Sequence, residues 1–486
     1  MSEPRDLPDR IVVAGDGQVG ALAAIALKRA LPSCDVLVIG TPADPAAIAD
    51  RMPTALPFTN RLHDRLGIDE ERLVREAGAS HRLVVRYRGW GGPGQEGTAP
   101  YGAATDPRLR TGFARAWGIG PRNETAAAPP GSLAEVLAAA GRFEPPSGAE
   151  GAALNDLDYA LRWNVPAYRD VLVGEAQRIG VRHARAALRG LRLDDGGGVA
   201  ALQVDGLGAI EADLFVDCTG PAAALLSALP GFRREDWSGA LPIRALVFDS
   251  PREPMLSLED RVTVTPVGWL SELAGRDGRQ AVLAMIQGTT REAAYEALPV
   301  DTLEVVPLAP GRAAEPWRGN VVALGDAAAH FEPLGWFNLD LAHRQLGLLL
   351  ELMPGKAVDP HERSEFNRRA TLMSDRIRDA LGIHYAAPAA EHLGLLDRSP
   401  DLALTIDQYT RRARLPFFDE GPLLAQEQTA LLQALGYRPG QSALALATDP
   451  REAEQAAAAF AARVEAILPG IPPYGAWMGE VLGGSR

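Results

Sequence analysis

The residues best suited to chemistry in this sequence lie in two glycine turns. The first turn, Gly15-Asp16-Gly17-Gln18-Val19-Gly20, has the G-x-G-x-x-G spacing, which permits a tight turn and lets a pyrophosphate approach the backbone. In the second turn, Gly325-Asp326-Ala327-Ala328, Asp326 can accept hydrogen bonds from a polyol chain or can cap the following helix. Together the two turns predict a dinucleotide site.

The first turn must be held between a strand and a helix. The apolar run Arg10–Ala14 predicts a strand, residues 21–31 predict a helix, and Asp35–Ile39 predicts a second strand. In this order the N-terminus of the helix supplies N–H groups and a positive dipole end to a phosphate. A glycine-rich turn without a ligand is the alternative. Gly40-Thr41 stands where such sites usually carry an acidic residue that binds the ribose.

Further strands and helices are predicted along the rest of the chain. The segment 155–225 predicts a helix, a strand pair and a strand, with a hairpin turn at Asp194–Gly198. The segment 317–353 predicts a strand, the second glycine turn and a long helix from about Asn338 to Met353. The chain becomes mostly helical from about residue 361 onward, and the Gly- and Pro-rich stretch 141–156 predicts a loop.

The composition excludes several classes of protein. The chain has 486 residues, with 49 basic and 62 acidic ones, so its net charge of -13 argues against binding to nucleic acid or to an anionic membrane. Cys34 and Cys218 cannot build a disulfide framework, and no Cys/His cluster has the spacing of metal ligands. The sequence shows no signal-peptide core and no membrane-spanning apolar run, so we expect a soluble cytoplasmic protein.

Several motifs resemble those of flavin-dependent tryptophan halogenases and, more broadly, of FAD-dependent aromatic hydroxylases. Besides the first glycine turn, the similar blocks are His63–Asp69, Arg86–Trp90, Pro100–Gly102, Glu211–Gly220, Pro310–Trp317, Phe331–Leu334 and Arg378–Tyr385. The resemblance implies an α/β fold with a GR2-type, Rossmann-like FAD-binding module, a halogenase-like substrate region and a mostly helical C-terminal part. It assigns residues 1–60, 155–225 and 300–356 to the FAD module, and residues 61–154, 226–299 and 357–486 to the substrate region.

The halogenase lysine is missing from this sequence. Its position, on the strand after Gly78, is taken by Arg82, and the only two lysines are Lys28 and Lys356. A guanidinium stays protonated, so Arg82 cannot form a useful haloamine or act as a neutral nucleophile. This substitution argues against halogenation.

Two further departures point the same way. The glutamate that follows the Pro-Leu pair in halogenases is absent, because Pro333-Leu334 is followed by Gly335-Trp336-Phe337. Of the paired tryptophans of the family only Trp269 remains. Meanwhile, Gly325-Asp326 is similar to the Gly-Asp motif of aromatic hydroxylases.

The resemblance and these departures predict an FAD-dependent monooxygenase. It would hydroxylate an indole or tryptophan-type ring, either a small molecule or a tryptophan side chain in a peptide, as in tryptophylquinone biogenesis, through a C4a-hydroperoxyflavin. It would consume O₂ and take electrons from NAD(P)H, directly or through a partner flavin reductase. The alternatives are a halogenase with an atypical active site and a flavoprotein without oxygenase activity.

The resemblance also assigns roles to individual residues. We expect Arg82 and His330 to be catalytic, with a structural ion pair and a helix cap as the respective alternatives. Substrate contacts are expected from four aromatic or polar side chains, those of Tyr101, His81, Trp336 and Phe337. For Tyr101 the alternative is an ordinary core position. Cofactor contacts are expected from the turn residues Gly15, Gly17, Gln18, Gly20, Gly325, Asp326, Pro333, Leu334 and Gly335. No metal site is expected.

Overall fold

The structure, a computed structural model, confirms an α/β fold. It describes residues 6–42, 44–102, 132–148, 153–155, 157–249, 253–299, 304–394, 397–441 and 450–484. The main sheet has six strands in the spatial order Trp317–Arg318, Val321–Ala323, Leu214–Asp217, Arg10–Ala14, Asp35–Gly40 and Arg182–Arg185. All neighbours in it are parallel except Trp317–Arg318 with Val321–Ala323.

A second, seven-stranded sheet is mostly antiparallel. Its strands run in the order Val305–Pro307, Ile243–Asp249, Gln280–Ile286, Gly268–Leu273, Glu259–Thr265, Val84–Arg88 and Glu96–Pro100. Three smaller sheets are formed by Leu188–Leu193, Val199–Val204 and Gly208–Ile210, by Arg234–Asp236, Gly311–Ala313 and Ala329–His330, and by Ser80–Arg82 and Ala160–Arg162.

Helices cover both sheets and fill much of the C-terminal part. The α-helices are Gln18–Ala30, Ile48–Arg51, Phe58–Arg65, Glu70–Glu76, Leu133–Ala140, Val165–Arg178, Arg291–Ala297, Phe337–Glu351, Pro360–Tyr385, Pro400–Arg412, Ala425–Ala434, Pro450–Ile467 and Tyr474–Gly483. Short 3₁₀ turns lie at Leu226–Ala228, Gly325–Ala327, Leu334–Trp336, Glu391–Leu393 and Leu468–Gly470. Among the described helices, none combines the length and the apolar composition needed to cross a membrane.

Strand periodicity explains why the main sheet is buried on both faces. In the strand β1 (Arg10–Ala14), Ile11 and Val13 belong to a core with the helix α1 (Gln18–Ala30), whereas Val12 and Ala14 belong to a second core. Successive side chains of a strand point to opposite faces, so both faces of this strand are apolar, as is usual in parallel sheets.

The parallel order brings the two predicted glycine turns to one edge of the sheet. Ala14 lies opposite Asp217, which lies opposite Ala323, so the carboxyl ends of these three strands are adjacent. Ligands of open α/β sheets bind at this edge. The six strands come from residues 1–60, 155–225 and 300–356, which supports the proposed FAD module, while the division into domains stays a prediction.

Most element boundaries agree with the sequence prediction. The strand predicted at Asp35–Ile39 extends to Gly40, and the hairpin turn at Asp194–Gly198 joins two antiparallel strands. The first helix begins at Gln18 rather than at residue 21, because the last glycine of the turn already takes part in the helix. Of the predicted loop 141–156, residues 149–152 and 156 lie outside the described part.

Gly20 allows α1 to approach the end of β1, and its substitution should destabilise the fold. A Cβ at Gly20 would lie 2.0 Å from the carbonyl oxygen of Gly15. We expect Gly20→Ala to lower the free energy of unfolding by about 1–3 kcal/mol, the usual cost of overpacking, as measured by urea denaturation. Gly174, exposed in the helix Val165–Arg178, has no described atom within 4 Å of its Cβ position. Gly174→Ala should instead stabilise by about 1 kcal/mol, and equal effects of the two substitutions would contradict this account.

Candidate functional site

Arg82 lies at the centre of a buried polar cluster. Its Nε donates to Asp260, its Nη1 to the hydroxyl of Thr54 and its Nη2 to the hydroxyl of Tyr101. The Tyr101 hydroxyl in turn donates to Asp260 Oδ2 at 2.9 Å. Arg82 and Asp260 are each almost fully buried, so their charges are paired away from water. The planar guanidinium makes these bonds from three separate nitrogen atoms, whereas a lysine would have to make them all from one nitrogen.

Two aromatic rings complete this cluster. The Cζ atom of Arg82 lies 4.5 Å from the ring centroid of Tyr101 and 5.5 Å from that of Trp336. At these distances the cation is attracted by the electron-rich faces of the rings. The structure therefore brings together three residues that the sequence proposed for substrate contact or catalysis. We call Arg82, Asp260, Thr54, Tyr101 and Trp336 the Arg82 cluster.

The backbone before Trp336 directs its indole ring towards Arg82. Gly335 and Trp336 both adopt left-handed conformations, with φ of 73° and 64°. A Cβ at Gly335 would lie 2.5 Å from the ring of Phe337, so only glycine fits beside that ring. Phe337 itself begins the helix Phe337–Glu351 and is buried. The segment Gly335-Trp336-Phe337, which follows the Pro333-Leu334 pair, thus forms an aromatic wall.

Two polar atoms of the Arg82 cluster lack a hydrogen-bond partner within the described part of the chain. They are Trp336 Nε1, a donor, and Asp260 Oδ1, an acceptor, and both are buried. Burial raises the pKa of Asp260, although the adjacent Arg82 opposes this shift. An unpaired buried polar group costs free energy, so a ligand that supplied the missing partners would be bound favourably.

His81 lies on the opposite side of its strand from Arg82. Its Nδ1 is 2.9 Å from the hydroxyl of Tyr474, and its Nε2 is 2.9 Å from Glu70 Oε1. Its ring also packs against Phe143 and Trp477. The alternation of strand side chains separates two consecutive residues in this way. His81 therefore joins the C-terminal helix Tyr474–Gly483 to the fold and does not contact the Arg82 cluster.

A second buried hydrogen-bonded chain lies on the motif Phe331–Leu334. Trp269 Nε1 donates to the Tyr385 hydroxyl at 3.1 Å, and this hydroxyl donates to Glu332 Oε1 at 2.6 Å. Burial raises the pKa of Glu332 to about 7, and its Oε2 has no hydrogen-bond partner among the described residues. From the sequence, we expect Glu332 only to order the loop that carries this motif. Its place in the motif Phe331–Leu334 and the presence of Trp269 were the sequence features that could have indicated this hydrogen-bonded chain.

The first glycine turn has the tight geometry that its sequence predicts. Gly15 has a φ of 103°, and a Cβ there would lie 2.2 Å from the carbonyl oxygen of Cys218 on the neighbouring strand. Only glycine can occupy this position. The turn therefore has the backbone shape of a dinucleotide site, and α1 begins directly after it.

The phosphate position at this turn is, however, taken by a side chain of the same protein. The helix α2 (Ile48–Arg51) packs over the turn, and the Oδ1 of Asp50 accepts a hydrogen bond from the Val19 N–H at 3.0 Å. A Cβ at Gly17 would lie 2.1 Å from the carboxyl group of Asp50. The space that a glycine leaves for a phosphate is thus filled by a carboxylate.

Other predicted cofactor residues also contact the α2 segment. Gln18 Nε2 donates to the carbonyl oxygens of Ala49 and Met52, both at 2.7 Å, and the Ala49 N–H donates to Asp326 Oδ2 at 2.6 Å. Asp326 keeps a buried Oδ1 with no partner in the described residues, which suits a polyol donor. The residues present therefore fit a ribityl chain at Asp326 but do not fit a pyrophosphate at α1.

His330 contacts the same segment rather than the Arg82 cluster. Its Nε2 is 3.0 Å from the carbonyl oxygen of Ala46, and its Nδ1 is 3.3 Å from that of Ala309. Burial lowers the pKa of His330 to about 4, so the ring is neutral at pH 7. This protonation state does not suit a general acid at neutral pH.

A carboxylate from another part of the chain lies beside Gly40, where the acidic ribose-binding residue is missing from the sequence. Gly40 ends its strand, and a Cβ there would lie 2.6 Å from Asp16 Oδ2. Asp16, from the first glycine turn, thus places its carboxylate beside the strand end that lacks an acidic residue. That carboxylate is 3.0 Å from His183 Nε2 and is also bonded to Arg169.

The remaining predicted cofactor residues lie in the second turn or in the 3₁₀ turn that follows it in sequence. The Gly325 N–H donates to the side chain of Gln345 at 2.9 Å, and Gly325 has a φ of 61°. Leu334 is buried, and Pro333 precedes the 3₁₀ turn that carries it. Their roles as cofactor contacts stay predictions.

Comparison with known proteins gives a consistent result. The family model of tryptophan halogenase matches residues 10–442. A tryptophan 6-halogenase from Streptomyces toxytricini is 26% identical, over 97% of this chain and 99% of the relative. Flavin-dependent halogenases from Brevundimonas sp. BAL3 and Xanthomonas campestris have similar folds. The Brevundimonas structure has a TM-score of 0.86 at 23% identity, and the match covers 98% of this chain and 99% of that structure. The Xanthomonas structure has a TM-score of 0.87 at 22% identity, and the match covers 98% of each chain.

These findings confirm the predicted resemblance and fold. They favour the halogenase alternative over the hydroxylase predicted from the sequence, since the matching family model and the Streptomyces relative both carry a halogenase name. They give no support to a role in tryptophylquinone biogenesis or to a peptide substrate.

The raised pKa of Glu332 predicts a pH-dependent stability. The neutral form is favoured in the folded state, so its stabilising contribution is complete below the unfolded pKa of 4.5 and is lost as the pH rises through about 7. Glu332→Gln keeps an acceptor for Tyr385 and cannot ionise. Relative to the wild type, we expect Glu332→Gln to gain on the order of 3 kcal/mol in unfolding free energy between pH 5 and pH 8. Exposed Glu391 is the matched control, and a pH-independent difference for Glu332→Gln would refute the assignment.

Proposed function

The chain belongs to the tryptophan halogenase family, and from this premise we propose that it is a flavin-dependent enzyme that halogenates an indole-type aromatic ring. The observation that carries this proposal is the Arg82 cluster, at the position where the family resemblance places the halogenating lysine. The cluster combines a buried cation, two aromatic rings and two unpaired polar atoms. These groups suit a planar ring that carries an N–H donor.

Arg82 requires a different role from that of the family lysine. A guanidinium cannot form a haloamine at neutral pH, because it remains protonated. Three of its N–H groups are engaged by Asp260, Thr54 and Tyr101, which leaves two for a further acceptor. We therefore assign to Arg82 the binding of a halide or a hypohalous acid by hydrogen bonds. The unpaired Asp260 Oδ1 would accept the N–H of the aromatic substrate.

FAD is the proposed cofactor, and reduced flavin would come from NAD(P)H through a partner reductase. When bound, FAD and O₂ supply the oxidising chemistry of such enzymes. Because Asp50 fills the phosphate position in the folded chain, we assign no catalytic step to a bound flavin. The small-molecule substrate proposed is tryptophan or another indole, with a peptidyl tryptophan as a further candidate.

Hydroxylation of the same ring is a second candidate, and the location of the lysines favours it. Lys28 Nζ donates to the carbonyl oxygens of Pro32 and Cys34, and Lys356 Nζ lies 2.6 Å from Asp9 Oδ2. Neither amine belongs to the Arg82 cluster, and the sequence contains no other lysine. An oxygen transfer would need no haloamine.

The reaction can be identified from its product. We expect purified protein with FAD, NADH, a flavin reductase, O₂ and bromide to give an indole or tryptophan product with the bromine isotope pattern in mass spectra. A product that gains one oxygen, independent of halide, would establish hydroxylation instead. Tryptophan-containing peptides should be tested in parallel.

The role of Arg82 can be tested with two substitutions. We expect Arg82→Met to lower product formation by about 100-fold, the usual effect of removing a key charged donor. Arg82→Lys, which keeps a cation at this position, should retain more activity than Arg82→Met. Exposed Arg192 provides the control Arg192→Met, and circular dichroism must show that each variant is folded, because breaking a buried ion pair can cost about 3–5 kcal/mol. Wild-type activity in Arg82→Met would exclude this residue from the reaction.

A further inference from the structure

We propose that Asp50 is an internal occupant of the phosphate subsite of the first glycine turn, so that the folded chain excludes the pyrophosphate of FAD until the α2 segment is displaced. The inference takes from the proposed function only the identity of the ligand. Here the α2 segment means residues 46–52, which include α2 and its flanking residues.

The first argument is geometric. The carboxyl group of Asp50 lies where a Cβ of Gly17 would be, within 2.1 Å, and it accepts the Val19 N–H at the N-terminus of α1. The helix has no side-chain cap of its own and no acidic residue in its first turn. Free N–H groups at a helix N-terminus bind one anion at this position. Asp50 and a phosphate therefore compete for the same donors and the same volume.

The second argument concerns how firmly the α2 segment is held. Gln18 binds the carbonyl oxygens of Ala49 and Met52, Asp326 binds the Ala49 N–H, and His330 is bonded to the Ala46 carbonyl oxygen. Four hydrogen bonds besides that of Asp50 would have to be broken or replaced. Each involves a residue that sequence analysis had assigned to cofactor binding or catalysis.

The third argument is electrostatic. The charge of Asp16 raises the pKa of Asp50. The charges of Asp50 and Asp44 in turn raise the pKa of Asp326, so these carboxyl groups repel one another. The nearby cations are already engaged, since Arg169 binds Asp16 and Arg234 binds two carbonyl oxygens. No group of three or more His, Cys, Asp or Glu side chains in the described part of the chain is arranged to hold a metal ion that would offset these charges. A pyrophosphate would thus enter a site that is already negative.

Removing the carboxylate should open the subsite. We expect Asp50→Ala to bind FAD about 10-fold more tightly than the wild type, as measured by quenching of flavin fluorescence on titration of the apoprotein. Asp50→Asn, which keeps the shape but removes the charge, should fall between the two. Exposed Asp195 gives the matched control, since Asp195→Ala changes the net charge equally and should leave FAD affinity unchanged.

Two further measurements test the mechanism without activity. Without FAD, Asp50→Ala should melt at a lower temperature than the wild type because α1 loses its cap, and saturating FAD should reverse this order. Lowering the pH from 8 to 5.5 should strengthen FAD binding by the wild type but not by Asp50→Ala. Burial, together with the charge of Asp16, raises the pKa of Asp50 to about 6, while the Val19 hydrogen bond and Arg169 oppose this shift. Asp326 and the Cys218 thiol also face this group.

The outcomes separate this inference from the proposed function. Tighter FAD binding by Asp50→Ala together with no product from any indole would support the inference and refute the proposed halogenation. Equal FAD affinity of the wild type, Asp50→Ala and Asp195→Ala would overturn the inference, whatever product is formed. Failure of all folded variants to bind FAD would also overturn it, because the carboxylate would then not be what excludes the ligand.

Discussion

The N-terminus of α1 needs a negative partner, and this need organises the carboxyl edge of the main sheet. The first N–H groups of a helix have no partner within the helix. The turn before α1 is built from glycines, which provide no capping side chain, and the first turn of the helix carries no acid. An anion must therefore come from elsewhere, and Asp50 supplies it. This interaction and the contacts of Gln18 and Asp326 together hold α2 over the turn.

The Arg82 cluster obeys a similar constraint in the interior. A buried cation is tolerated only when it is paired and hydrogen-bonded. Asp260 provides the opposite charge, and the hydroxyls of Thr54 and Tyr101 take up two further donors. An arginine in this place therefore needs several partners at defined positions. The segment Gly335-Trp336-Phe337 is part of the same arrangement, because it brings the indole ring of Trp336 to the guanidinium.

The sequence predicted those features that depend on neighbours along the chain. Strand Arg10–Ala14, the glycine turn and the following helix were recognised because periodicity and glycine spacing are local patterns. The strand alternation that separates His81 from Arg82 was predictable for the same reason. Asp50 and Asp260 were missed, because an isolated aspartate carries no local signal of the partner it will meet. The contact of Asp50 with Val19 joins residues 31 positions apart, and that of Asp260 with Arg82 joins residues 178 apart.

The first glycine turn and the Arg82 cluster have a common physical property. At the first glycine turn, an internal carboxylate satisfies a helix end that an exchangeable phosphate would otherwise satisfy. In the Arg82 cluster, a permanently charged guanidinium stands where the family resemblance places an amine, which can lose its proton and react. In both places the group that satisfies the buried polar atoms is a fixed part of the folded chain. The fold can therefore satisfy its buried charges without a ligand. Any reaction must begin by displacing some of the internal hydrogen bonds of Asp50 and Arg82.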